Sequence, residues 1–172
     1  MNWLKRKPPI FDEALAELAD MFASKSPPRD SPIPGQASLA NLPLDYSAQS
    51  LVFVDNYIDQ FRYQIDALDD ASFAQTVLRC GAYAGEVIRR NSTRTTYHWT
   101  DQEGAAMINR EFASWEPEIS LMAVLWDGGT GLVFPVAKVC KRIANSPEDS
   151  IHFFARAVIG GALREQATDL FA

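Results

Sequence analysis

The chain has 172 residues, 47% of them hydrophobic and 22% charged, with a formal net charge of −6. A chain of this length buries roughly two-thirds of its unfolded surface, enough for one core without staples, and the apolar fraction excludes a disordered polymer. The negative balance excludes indiscriminate nucleic-acid binding, which depends on Lys and Arg neutralising phosphates. Two cysteines, Cys80 and Cys140, are too few and too far apart for a disulfide framework or a paired-cysteine zinc motif.

The basic start, Met1 to Lys7, is not followed by the apolar stretch of a secretory leader. No window reaches the ~18 apolar residues of a spanning helix. The expectation is therefore a cytoplasmic protein without membrane attachment. Residues 10–24 read as an amphipathic helix, with Phe11, Leu15, Leu18 and Phe22 on one stripe and Asp12, Glu13 and Asp20 off it. Its acids argue against a membrane-surface role. It is expected either to fold back on the body or to dock on another chain. A proline-rich linker follows over 25–43, and the main domain is expected to span 44–172.

Ser47 caps the next predicted helix, in which Leu51, Val54, Ile58, Phe61, Ile65 and Leu68 recur at spacings of 3 and 4. Asp55, Asp59 and Asp66 lie off this stripe and read as a solvated face. A third helix is predicted over 71–90, carrying Gly81 and Gly85 four residues apart. Glycine costs about 1 kcal/mol against alanine inside a helix, so the pair points to close approach of another element.

Thr95 to Thr100 read as a strand, β-branched and aromatic. Residues 101–116 are ambiguous, and Pro117 ends any helix there. Leu121 to Phe134 read as a β-hairpin around Asp127-Gly128-Gly129-Thr130. Pro135 opens a helix with Val136, Val139, Cys140 and Ile143, while Lys138, Lys141 and Arg142 read as solvated. Ser146-Pro147-Glu148-Asp149 predicts the start of a last helix, with serine as cap and proline in the first turn. Gly160-Gly161 weaken that helix. Helices, then about three strands, then helices, without βαβ alternation, predict an α+β fold with a small antiparallel sheet.

No phosphate loop, dinucleotide fingerprint, serine elbow or paired-histidine metal helix is present. The sequence therefore implies no cofactor, no metal and no catalytic set. His98 and His152 stand far apart, and Cys80 and Cys140 read as inert thiols among apolar neighbours. The residues with chemical potential cluster over 79–99. Glu86 is a lone acid on an apolar helix, which fits either a carboxyl with a raised pKa or an ion pair with Arg90 four residues on. Tyr83 reads as a core ring with its hydroxyl satisfied. Arg79, Arg89, Arg90 and Arg94 make a basic stretch beside Tyr97, His98 and Trp99, opposite the acidic helix that begins at Ser47.

Leu44-Asp45-Tyr46-Ser47-x-x-Ser50-Leu51, Gly81-Ala82-Tyr83-Ala84-Gly85-Glu86-Val87-Ile88-Arg89-Arg90 and Phe134-Pro135-Val136-Ala137-Lys138-Val139-Cys140-Lys141-Arg142-Ile143 resemble a family of small bacterial proteins of unestablished activity. The resemblance spans about residues 42–155, supports the α+β expectation, and implies an accessory or immunity-like partner. The leading expectation is thus a non-enzymatic protein-interaction module with a protein partner. An alternative is a small-ligand binder or enzyme using Glu86, Tyr83 and His98 in a pocket. A third is a homodimer joined through the Leu51–Leu68 stripe. The residues singled out for binding are Tyr83, Glu86, Arg90, His98, Trp99 and Lys138.

Overall fold

A computed structural model describes residues 8–25, 32–116 and 118–161. The remainder of the predicted linker, Ser26–Ser31, lies outside the described residues, as does the chain after Gly161. Among the described residues the helices are α1 (Pro8–Ala23), α2 (Gln36–Leu39), α3 (Leu51–Phe61), α4 (Asp70–Asn91), α5 (Gln102–Ile108), α6 (Pro135–Asn145) and α7 (Ile151–Ile159). The strands are β1 (His98–Thr100), β2 (Val124–Trp126) and β3 (Leu132–Val133). They form one antiparallel sheet in sequential order, so the α+β expectation holds. No helix among the described residues is long and apolar enough to cross a membrane.

Helix α4 is the central element, flanked by α1, α6 and α7. Asp69 caps it, accepting from the Ser72 amide at 2.7 Å. Asp70 in the first turn and Arg89 and Arg90 in the last complement the helix dipole. The two interior glycines have the reason their spacing predicted. A Cβ on Gly81 would lie 2.8 Å from the Val136 Cα, so α4 and α6 approach backbone to backbone. A Cβ on Gly85 would overlap the indole ring of Trp99.

The sheet separates two apolar clusters because side chains alternate across it. Register pairs Trp99 with Leu125 and Leu125 with Val133, and these three face the main core with α1, α3, α4, α6 and α7. Val124, Trp126 and Leu132 point the other way, onto Ala105, Phe112, Leu121, Phe134 and Ala137. Phe112 sits edge-on to Trp115, ring centres 4.7 Å apart, and 5.3 Å from Phe134. The ambiguous stretch 101–116 resolves into α5 and a 3-10 turn over Arg110–Ser114 covering this outer face.

Leu15, Ala19 and Phe22 of α1 are buried in the main core, as are Ile33 and Leu39 from the predicted linker. The stripe of α3 is likewise spent inside the chain: Leu51, Val54, Ile58 and Phe61 are all buried. It is not available as a dimer face. After Phe61 the helix tightens to a 3-10 turn over Arg62–Ala67, a common way for an α-helix to end, which leaves Ile65 and Leu68 partly buried.

Three local expectations are corrected. Ser146-Pro147-Glu148-Asp149 forms a 3-10 turn, and the last helix begins at Ile151. Its cap is Ser150, whose Oγ accepts from the Phe153 amide at 3.1 Å. Asp55 assists from α3, accepting from the Ile151 amide at 2.8 Å, the His152 amide at 3.2 Å and the Ser150 hydroxyl at 2.7 Å. Asp55 is therefore buried rather than solvated, because it satisfies orphan donors at a helix end. Arg142 is also buried rather than solvated: its Nη2 donates to Asp59 at 2.7 Å, and its Nε lies 3.7 Å from Asp55.

Candidate functional site

The C-terminal half of α4 brings Tyr83, Glu86, Arg89 and Arg90 to one side of the molecule, where α1 and β1 pack on it. Both oxygens of Glu86 are engaged. Oε1 accepts from Arg89 Nη1 at 2.5 Å and from the Trp99 indole Nε1 at 2.9 Å, and Oε2 accepts from Arg90 Nε at 3.3 Å. Gly85 makes this possible, since only a missing side chain lets the Trp99 ring lie over α4 and reach the carboxylate.

A second carboxylate, Asp12 of α1, completes the cluster. Its Oδ1 accepts from the Trp99 backbone amide at 2.5 Å, and its Oδ2 from Arg89 Nη2 at 3.0 Å. The His98 Nδ1 lies 3.1 Å from the same Oδ2; against a carboxylate, which only accepts, that ring nitrogen carries the hydrogen. Arg89 Nε donates to the Tyr97 carbonyl at 3.0 Å, so its fork joins α1, α4 and the approach to β1. Such a planar multi-donor fork is what guanidinium offers and ammonium does not.

Beyond Glu86 the network continues through Arg90, whose guanidinium stacks 3.5 Å from the centre of the Tyr46 ring. The Tyr46 hydroxyl donates to Asp20 of α1. Tyr46 holds a left-handed backbone conformation, φ 62°, uncommon for a bulky residue. The strain is offset by bonds to both its backbone groups: the amide donates to the Tyr83 hydroxyl at 3.1 Å, and the carbonyl accepts from Asn91 Nδ2 at 2.8 Å. The Tyr83 hydroxyl also pairs with Ser50 Oγ at 2.7 Å. Burial raises the Tyr83 phenol above its ordinary range, and burial together with Asp20 does the same for Tyr46. Both stay neutral hydrogen-bonding groups at physiological pH.

The structure thus gathers five of the six residues singled out for binding. Tyr83, Glu86, Arg90, His98 and Trp99 belong to one continuous network, linked through Tyr46 and Asp12. Lys138 does not join it. It donates to Asp149 at 2.5 Å on the α6–α7 side and lies 5.9 Å from the Phe154 ring centre. Lys138 is only 14% exposed rather than solvated. Burial alone would raise the Asp149 pKa, but bonds from Lys138 and Asn145 carry it below the ordinary carboxylate value.

The basic stretch is also not an open face. Arg79 is buried, Arg89 and Arg90 are neutralised by Glu86, Asp12 and Asp20, and Arg94 is left exposed. Asp12 had no signal in its own helix beyond standing off the apolar stripe. Its partners lie 77 to 87 positions later in the chain. Burial raises the thiol of Cys140 to about 11 and pushes that of Cys80 up further, which keeps both unreactive. Among the described residues no three His, Cys, Asp or Glu side chains group as metal ligands.

No family model, no curated protein and no solved structure matches the chain.

Proposed function

We propose that the protein is a non-catalytic interaction module, accessory or immunity-like, which works in the bacterial cytoplasm and binds a basic partner protein through the turn joining α3 to α4. The observation that carries this reading is Tyr63. It is 87% exposed, on a turn that also exposes Asp66, Asp69 and Asp70. Tyrosine offers a large rigid contact area at low entropic cost and is enriched among residues that dominate interfaces. The surrounding aspartates steer and select a positively charged surface. A second copy of this acidic chain would meet that turn with unfavourable charge, so a different protein fits it better.

The non-catalytic part of the reading is supported by the saturation of the α4 network. A general base needs a free lone pair facing its substrate, whereas Glu86 and Asp12 both spend their oxygens on donors from the chain itself. The free thiols suit a reducing compartment.

The test is capture from the cell of origin by the wild-type chain, Tyr63→Ser and Asp66→Lys. Both substitutions lie on an exposed turn and should leave the melting temperature unchanged. A basic partner retained by the wild type and lost from both variants is the expected result. Equal capture by all three, or no specific partner for any, contradicts the reading.

A further inference from the structure

A cavity of about 360 Å³ opens where the C-terminal ends of α4 and α7 meet β3 and the segment entering β1. One wall is apolar, made by Val133, Val158 and Ile159, and the opposite edge carries Ser92, Arg94 and Tyr97. It lies apart from the Glu86 side chain and borders that network only through Tyr97.

Among the described residues, two polar groups on the edge lack protein partners. The Ser92 Oγ is buried without a hydrogen bond, a costly state for a hydroxyl. Among the described residues the exposed Arg94 makes no hydrogen bond, ion pair or ring contact. Some of the carbonyls at the neighbouring helix ends already have donors. Val87 and Ile88 accept from Asn91 Nδ2 at 2.7 Å and the Ser92 amide at 3.0 Å. Arg156 and Val158 accept from the Gly160 and Gly161 amides at 2.9 and 3.0 Å.

We propose that this cavity binds a small monocarboxylate, its carboxylate held by Arg94 and its apolar body laid against Val133, Val158 and Ile159. Guanidinium matches a carboxylate with two parallel bonds. With Arg94 the one cation on this edge among the described residues, a single negative charge is matched, whereas a doubly charged phosphate would leave charge uncompensated. The volume equals that of about twelve waters of liquid, which admits a short aliphatic chain and lies at the small end of ligand pockets.

The probe is hexanoate, titrated into the full chain and followed by backbone amide shifts in NMR. Hexanamide serves as the neutral counterpart and acetate as the anion without an apolar body. Saturable shifts confined to the Ser92–Tyr97 segment, Val133 and the end of α7 are expected. Arg94→Gln, an exposed substitution that leaves the amide spectrum otherwise native, should weaken hexanoate at least tenfold, and hexanamide and acetate should each bind at least tenfold more weakly.

No saturable binding, hexanoate binding indifferent to Arg94→Gln, or shifts centred elsewhere overturns the proposal. So does hexanoate binding that appears only after removal of residues 162–172, which would make the chain's own continuation the occupant. None of these outcomes depends on the partner surface at Tyr63, so the two readings fail separately.

Discussion

Replacing Asp12 by alanine tests whether α1 is an integral part of the fold. The Asp12 side chain is 14% exposed and serves the Trp99 amide, Arg89 and His98 together. Its loss leaves the Trp99 N–H beneath α1 without an acceptor, costing about 1–3 kcal/mol. The Arg89 bond is charge-assisted, but Arg89 keeps Glu86 and the Tyr97 carbonyl and is 21% exposed. Its share is therefore discounted to about 1 kcal/mol. The total is about 3 kcal/mol, which for a chain of this size lowers the melting temperature by about 6–12 °C. Asp12→Asn retains an acceptor for the Trp99 amide and should cost about half as much. Thermal unfolding followed by circular dichroism reads the loss, and hydrogen exchange at the Trp99 amide reads its location. A cost below about 1 kcal/mol for Asp12→Ala, with the Trp99 amide still protected, would refute the docking of α1 through this carboxylate.

Three further outcomes follow from the packing. Gly81→Ala and Gly85→Ala, which would ordinarily stabilise a helix by about 1 kcal/mol, should each destabilise by about 1–3 kcal/mol from overpacking. Gly85→Ala should also shift the Trp99 fluorescence, which Gly81→Ala should leave in place. Asp55→Ala removes the acceptor for two α7 amides and a hydroxyl, and should cost about 3 kcal/mol in urea unfolding, against about 1 kcal/mol for Ser150→Ala. With its pKa carried from 9.0 to about 11, Cys140 should have about 100-fold less thiolate at pH 8 than an unperturbed thiol. Its reaction with a disulfide reagent should be slowed accordingly until the protein is unfolded.

The expectations that held are those written in local spacing. The stripe of α3, the glycine pair of α4 and the glycine turn after Trp126 all report which face of one element is apolar or crowded. They were enough for the α+β architecture and its three-stranded sheet. Ser47, by contrast, caps the 3-10 turn Ala48–Ser50 that precedes α3 rather than α3 itself. Asp66 is exposed as expected, but Asp55 departs from the solvated face because periodicity says only that a residue stands off the apolar stripe. Asp55 stands off it and is nonetheless buried, since the first turn of α7 supplies donors 95 to 97 positions away. The same donors displace the start of that helix from Pro147 to Ile151.

Spacing offers Glu86 two readings and favours the ion pair with Arg90. The Arg90 pairing at i+4 is present, but the Trp99 indole and Arg89 that close the carboxylate depend on Gly85 admitting the ring. Asp12, the other half of the network, was visible only as a polar position on an amphipathic helix. The cavity beside Arg94 had no local signature, because its apolar wall comes from β3 and α7 and its polar edge from the segment after α4.

The most direct measurement is site-specific photo-crosslinking in the cell of origin, with a photoreactive residue at position 63 and a control at position 153, where Phe153 is 75% exposed on the first turn of α7. A single adduct with a basic protein from position 63, absent from position 153 and abolished by Asp66→Lys, is the expected result. No adduct from position 63, or the same adducts from both positions, would contradict a partner surface at the α3–α4 turn.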